Sequence, residues 1–291
     1  FGNIVYSEAL DIEKYPNPKY DDAKTVYLDL AVRLDAAIAD LNGSYDSFGT
    51  ADLIYNGKAA QWKKLANSVK LKLGMHLADV DAAKAKAMVE SAYSSGVIGN
   101  DAENALFQYY KTIVDQNPLY NSLVNESQIM PTEFFVNELN GKSDPRRDIF
   151  FNPASKIAGA YKGAPYAQQV SYKNYSNVGV RIKERSNPGV IFDYTETCFL
   201  LADAASRGFS VGATAAEYYE KGIRSSMNYW GVSATDTDTY LARPDVAYAT
   251  AFGTDKQKIA YQLWIAYYNR GFEAWTEYRR LDFPILVAPI T

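Results

Sequence analysis

From Asp193 to Pro284 the chain reads as two helical hairpins, and no other feature constrains the fold as strongly. The first pairs Tyr194–Gly208 with Ala215–Gly231, and the second runs from Lys258 to Arg280. Both are rich in small residues and large aromatics. Helix pairs of this kind cannot bury an apolar face alone; they do so by packing on their neighbours. No catalytic motif appears in them, and a chain built this way is expected to bind something.

The N-terminal part has the same texture. After an extended lead-in carrying Tyr15-Pro-Asn-Pro18, a helix is predicted from Asp21 to Leu41. There Val26, Leu30, Leu34, Ile38 and Leu41 recur at spacings of three and four, and Asn42-Gly43 supplies a stop. A loop from Ser44 to Gly57 carries Tyr45, Phe48 and Tyr55. The helix predicted from Lys58 to about Val80 buries Trp62, Leu65, Val69, Leu73 and Leu77 on one face. A short helix from Ala82 to Tyr93 ends at Ser94-Ser-Gly96. Trp62–Gly96 and Tyr194–Gly231 are each near the period of tetratricopeptide-like repeats.

Residues 97–192 differ. X-Pro pairs at Asn117, Met130, Asp144, Asn152, Ala164 and Asn187 disfavour helix just before them. One helix is expected at Thr132–Leu139, one short strand at Val178–Ile182, and loops elsewhere. A further loop is expected from Ser233 to Asp255. The predicted fold is mainly α. Tetratricopeptide-like hairpins form a scaffold at 21–96 and 193–284, with a long irregular insert at 97–192 and little β, all within a single domain 1–291.

The net charge of −4 gives no support for nucleic acid or an anionic membrane as partner. No apolar run is long enough to span a membrane. The single cysteine, Cys198, excludes an intrachain disulfide and reads as a small buried residue, with His76 its only imidazole partner. No zinc set or calcium loop is recognisable, and no metal or cofactor is expected. Asp236-Thr-Asp-Thr239 reads as a solvated loop. The carboxylate pairs Glu217/Glu220, Asp193/Glu196 and Glu273/Glu277 could be imagined flanking a glycosidic bond. Their helical spacing fits caps and ion pairs better. Asp144-Pro-Arg-Arg-Asp148 reads as a structural clamp after a helix, and Arg279-Arg280 with Phe283-Pro284 closes the last helix similarly.

The landmarks that carry a resemblance run through the chain in order. They are Asp52-Leu-Ile-Tyr-Asn-Gly57, Trp62 to Met75, Asn117-Pro-Leu-Tyr120, Asp144-Pro-Arg-Arg147, Phe199 to Gly208, Tyr218 to Met227 and Gly271 to Arg280. Together they resemble the SusD/RagB family of outer-membrane nutrient-binding lipoproteins, in its SusD-like branch. Two departures stand out. Lys72-Leu-Gly-Met-His76 replaces the more usual Arg-Leu-Ala-Met-Arg, and Ala202-Asp203 replaces Ala-Glu; both keep helix character. The resemblance implies a non-enzymatic protein at the bacterial cell surface. It would be lipid-anchored through a segment absent from this chain, capturing oligosaccharides (or peptides) for a TonB-dependent transporter barrel. The chain is therefore expected to be an internal segment of a longer protein.

The family's ligand residues share no motif, so candidates come from composition. There are 24 tyrosines beside one histidine. Tyrosine has an apolar face and a polar edge, which suits both helix interfaces and sugar rings. Loop tyrosines without helical period, flanked by Asn, Gln and Lys, are the expected ligand platform. Tyr166 and Tyr172 come first, then Tyr109, Tyr110, Tyr161 and Tyr175; the alternative is that these rings pin the loops to the scaffold. A helical-repeat scaffold for protein–protein contact is the rival function, with a glycoside hydrolase behind it.

Overall fold

The structure is a computed structural model that describes residues 2–41, 47–124, 129–156, 159–286 and 288. The chain divides into two compact units, Phe1–Ile98 and Gly99–Thr291.

The first unit holds α1 (Ala23–Asp40), α2 (Ala59–Leu77) and α3 (Ala82–Ser95). Asp22 caps α1 and Asp81 caps α3, each side chain accepting a first-turn N–H. Gly96, at φ 92°, ends α3. The expected stop at Asn42-Gly43, and Tyr45, lie outside the described residues. The face of α2 differs from expectation. Leu65 and Leu77 are buried, but Trp62, Val69 and Leu73 are only half-buried, and the deepest residues are Asn67, Ser68, Leu71, Gly74 and Met75. The reason is that α2 lies against both α1 and α3, so a single stripe underestimates its contact surface. Gly74 sets the approach of α3. A Cβ there would sit 2.9 Å from Val89 and 3.2 Å from Met88.

Asp52 organises the loop before α2. Its carboxylate accepts from the backbone N–H of Ile54 (2.9 Å), Tyr55 (3.2 Å) and Gly57 (2.8 Å), and from the Trp62 indole (2.6 Å). Desolvation would raise its pKa, but these donors outweigh it and hold it at about 2.

The second unit is built around two hairpins. Its elements are β1 (Ala105–Phe107), α4 (Pro118–Val124), α5 (Glu133–Gly141), α6 (Arg147–Phe150), β2 (Phe151–Asn152), β3 (Asn177–Val178) and β4 (Gly189–Phe192). After these come α7 (Tyr194–Ser206), α8 (Ala215–Trp230), α9 (Ala234–Leu241), α10 (Asp255–Ala266) and α11 (Gly271–Leu281). β1 pairs antiparallel with β4, Phe107 opposite Gly189, and β2 with β3, Phe151 opposite Val178. Capping boxes, Thr214 with Glu217 and Thr254 with Gln257, start α8 and α10. Gly222 lets α8 cross α7: its Cβ would meet Phe199 ring carbons at 2.9–3.0 Å.

A core of Val136, Leu139, Phe150, Phe151, Ile182, Trp230, Tyr261 and Ile265 binds the insert to the helices. Its rings interlock, with Phe150 and Tyr268 stacked at 4.2 Å and Trp230 edge-on to Phe150 at 4.7 Å. The predicted clamp is present. Arg146, fully buried, binds both oxygens of Asp144 (3.0 and 2.6 Å) and reaches Ser226 (2.9 Å) on α8 and Gln262 (3.0 Å) on α10.

Three expectations are corrected. The strand at Val178–Ile182 is only Asn177–Val178. At Gly179 a Cβ would lie 2.0 Å from the Ile149 carbonyl, so the backbones meet there, and the chain turns through a 3-10 turn at Arg181–Lys183 that buries Ile182. The loop at Ser233–Asp255 contains α9, so Asp236–Thr239 is helical. Ser233 caps it, and Thr237 and Tyr240 bury its inner face at spacing three. The insert also holds α4, α6 and strands β1, β2 and β4 where loops were expected. Pro118 stands at the first helical position, where its missing N–H costs nothing.

Two outcomes test this packing. Gly222→Val should destabilise the protein by about 1–3 kcal/mol in denaturant titration, because the Phe199 ring has nowhere to go. A variant as stable as wild type would mean that α7 and α8 are not held this close. Asp52 has a folded pKa below its unfolded one. Its contribution is therefore present above about pH 4 and lost as pH falls towards 2. Asp52→Ala should cost about 1–3 kcal/mol at neutral pH, and the gap to wild type should close in acid; a gap independent of pH rejects the assignment.

Candidate ligand-binding cleft

A cleft of about 350 Å³ opens in the second unit where several chain ends converge. Its walls come from Tyr109 after β1, Asn117-Pro-Leu119 at the start of α4, Asn187-Pro-Gly-Val190 leading into β4, and Tyr229 and Trp230 at the end of α8. The turn from Tyr268 to Glu273 between α10 and α11 completes it. Asn117 fixes two of these walls to each other: its amide donates to the Asn187 carbonyl (2.7 Å) and accepts from Leu119 N–H (2.8 Å).

The floor is charged and paired. Asp193 caps α7, accepting from Glu196 N–H at 2.8 Å. Arg270 lies 3.3 Å from the other Asp193 oxygen and 2.5 Å from Glu196, over the Tyr267 ring at 4.6 Å. Burial lifts the Asp193 carboxyl above the usual range, against the pull of Arg270. Burial also tends to lower Arg270, and the two carboxylates more than offset it. Three other carboxylates singled out in the sequence are also engaged. Glu217 closes a capping box, Glu220 pairs with Arg224 at 2.9 Å, and Glu277 shares Arg280 with Asp203. Cys198, buried beside Tyr194, has its thiol pushed up to about 12 by burial, which leaves it inert as a nucleophile. His76 hydrogen-bonds Tyr27 at 3.1 Å. Among the described residues no cluster of three or more His, Cys, Asp or Glu could hold a metal ion.

Among the amide and carboxylate side chains of the cleft wall, Asn187, Asn269 and Glu273 make no hydrogen bond or ion pair within the described residues. Asn187 is only 6% exposed as a residue, and its amide is not among the buried unpartnered groups, so it opens to the solvent of the cleft and is available to a ligand. Rings stand beside these groups: Tyr109, Tyr229, Trp230, Tyr268 and, on the rim, Phe272 at 74% exposure.

The six tyrosines named from sequence are not brought together. Tyr109 lines the cleft, its ring edge-on to Phe107 at 5.0 Å, and Tyr110 beside it is 58% exposed. Tyr161 lies under Arg147 (4.4 Å) and packs on the core. Tyr175 lies under Lys162 (5.1 Å), and Tyr172 donates to Asn177. Tyr166 is half-buried, with no ring or hydrogen-bond partner. Sequence reasoning passed over Asn269, read Asn187 only as a helix break before Pro188, and set Glu273 aside with Glu277 as a cap or ion-pair residue. The signal was the Asn-Arg-Gly break between two helical runs. Asn269 takes φ 69°, a conformation Asn tolerates better than most residues, and so turns its neighbours into the cleft.

Removing Arg270 would leave two buried carboxylates without a cation. Arg270→Met should cost about 3–5 kcal/mol near neutral pH. Without its partner, Asp193 would have a folded pKa raised further above the unfolded one, so stability falls as pH rises through it. The deficit should shrink on acidification towards about pH 4. Denaturant titrations across pH check this; a deficit that does not change with pH contradicts it.

The comparisons with known proteins agree with this architecture. The SusD-like family model described as "Starch-binding associating with outer membrane" matches residues 1–291. The curated proteins give no match. Among solved structures, a SusD homologue from Bacteroides uniformis is 29% identical with a TM-score of 0.86, covering 100% of this chain and 66% of that one. A chitin-binding SusD homologue from Flavobacterium johnsoniae is 28% identical with a TM-score of 0.86, again covering 100% and 66%. A homologue from Bacteroides ovatus is 27% identical with a TM-score of 0.84, covering 98% and 66%. The chain thus spans 66% of the length of these relatives. On the strength of the family match over its whole length, the chain belongs to the SusD-like family.

Proposed function

We propose that the protein is a non-catalytic glycan-binding component of nutrient uptake at the bacterial outer membrane. It would be displayed on the cell surface through a lipid anchor carried elsewhere in the full-length protein, and would pass oligosaccharides to a TonB-dependent transporter barrel. The single observation that carries the reading is the cleft. Aromatic faces stand beside unsatisfied amides, which is what a sugar ring with CH faces and hydroxyl edges requires. Its deeper carboxylates are tied to arginine, so no pair is left flanking an open space as glycoside hydrolysis needs. The chitin-binding relative and the starch-binding description of the family support a carbohydrate over a peptide.

Of the tyrosines expected from sequence, we place Tyr109 in the primary site and Tyr110 at its edge. Tyr166, Tyr172, Tyr161 and Tyr175 would form a separate, secondary surface. Tyr109→Ala should weaken binding of chitin or starch oligosaccharides by about 1–3 kcal/mol in calorimetry, with little change in thermal stability. If Tyr109→Ala binds like wild type while Tyr166→Ala or Tyr172→Ala loses affinity, the primary site lies on the 161–175 segment. If the full-length protein binds no carbohydrate and co-purifies with no barrel, the reading fails.

A further inference from the structure

The charge inventory of the cleft carries a statement about which glycans enter it. Arg270 is the one cation among the lining residues; its two terminal nitrogens are committed to Asp193 and Glu196, and its Nε is buried away from solvent without a partner among the described residues. Arg181 and Arg185 brace neighbouring segments and are also spent. Arg181 donates to the Tyr229 carbonyl and stacks on Tyr229 and Trp230, while Arg185 reaches the Tyr120 hydroxyl (3.2 Å) and covers its ring. The charged group left without a protein partner on the wall is the Glu273 carboxylate. It stands in the first turn of α11. Beside it the amides of Asn269 and Asn187 are also unsatisfied.

We propose that this cleft selects its sugar by charge: it takes an amine-bearing hexosamine unit through Glu273 and rejects uronic-acid and sulfated glycans. An ammonium group would give Glu273 a charge-assisted hydrogen bond. A neutral acetamido or hydroxyl group would be served by the two amides. A carboxylate or sulfate would meet Glu273 with no free guanidinium to clamp it, and like charges at close range discriminate strongly.

The inference rests on the glycan-binding reading, and the test separates the two. Calorimetry with the full-length protein would compare chitosan tetraose, chitin tetraose and an oligogalacturonate at low and high ionic strength. The expected order is amine first, acetamido about tenfold weaker, and uronate weaker still by at least another factor of ten. Added salt should narrow the gap between amine and acetamido. Glu273→Gln should bring the amine to the affinity of the acetamido ligand, and an unchanged thermal melting temperature shows separately that the variant is folded. Equal or tighter binding of the uronate overturns the charge selection, as does an equal loss for all ligands in Glu273→Gln. Binding of none of the three by wild type overturns it together with the glycan-binding reading.

Discussion

The second unit depends on one buried ion pair, Asp144 with Arg146, both at zero exposure. A guanidinium in that position has lost its water, and only a full set of acceptors makes this tolerable. Asp144 supplies two, Ser226 and Gln262 supply the others, and the Tyr240 ring lies 5.8 Å away. Such a pair adds little net stability over a well-packed apolar replacement, but removing one partner is expensive. Its consequence here is positional. The turn after α5 must sit where α8, α9 and α10 all reach it. Ser226, held from behind by Arg146, is also a wall residue of the cleft, so the clamp and the site share a side chain.

The same logic sorts the acids of this unit into structural and available ones. Asp203 and Glu277 share Arg280, and Asp193 and Glu196 share Arg270. In each case two carboxylates converge on one guanidinium in a poorly hydrated place, which couples neighbouring helices through charge as well as packing. A group held in this way cannot approach a substrate. Glu273, four residues before Glu277 on the same helix, faces the cleft instead. Position on the helix, not residue type, separates a strut from a carboxylate left open to the cleft.

Much of the scaffold was legible in the sequence because its signals are local. Asp81, Asp193, Thr214 and Thr254 announce helix starts, and Gly96 and Gly231 announce ends, within a few residues of the features they control. The clamp could be read from Asp144-Pro-Arg-Arg because acid and base are adjacent. What failed depended on distant partners. Ile182 is pulled out of a strand by a core contributed from α5, α8 and α10. Trp62, Val69 and Leu73 look like one face until a second neighbouring helix shares the contact. The cleft was legible only through Tyr109. Asn187 and Asn269 are 82 positions apart in numbering, and no spacing rule connects an unsatisfied amide in one turn with another in a turn so far along the chain.

The tyrosine surplus then has a division of labour that the count alone could not give. Tyr268 donates to the Phe150 carbonyl and stacks on that ring, so it is held to the core while lining the cleft. Tyr161 and Tyr175 lie under cations that belong to the protein, and Tyr172 spends its hydroxyl on Asn177. Among the described residues the Tyr109 ring has one aromatic partner, Phe107, and lies near Gly189. A floor of rings fixed by the core needs no ordering when a ligand arrives, which removes one cost of binding. The less constrained ring at the mouth can adjust to a ligand. Rigid floor and adaptable rim are separate requirements, and in this fold they fall on different elements: helix ends for the first and the segment after β1 for the second.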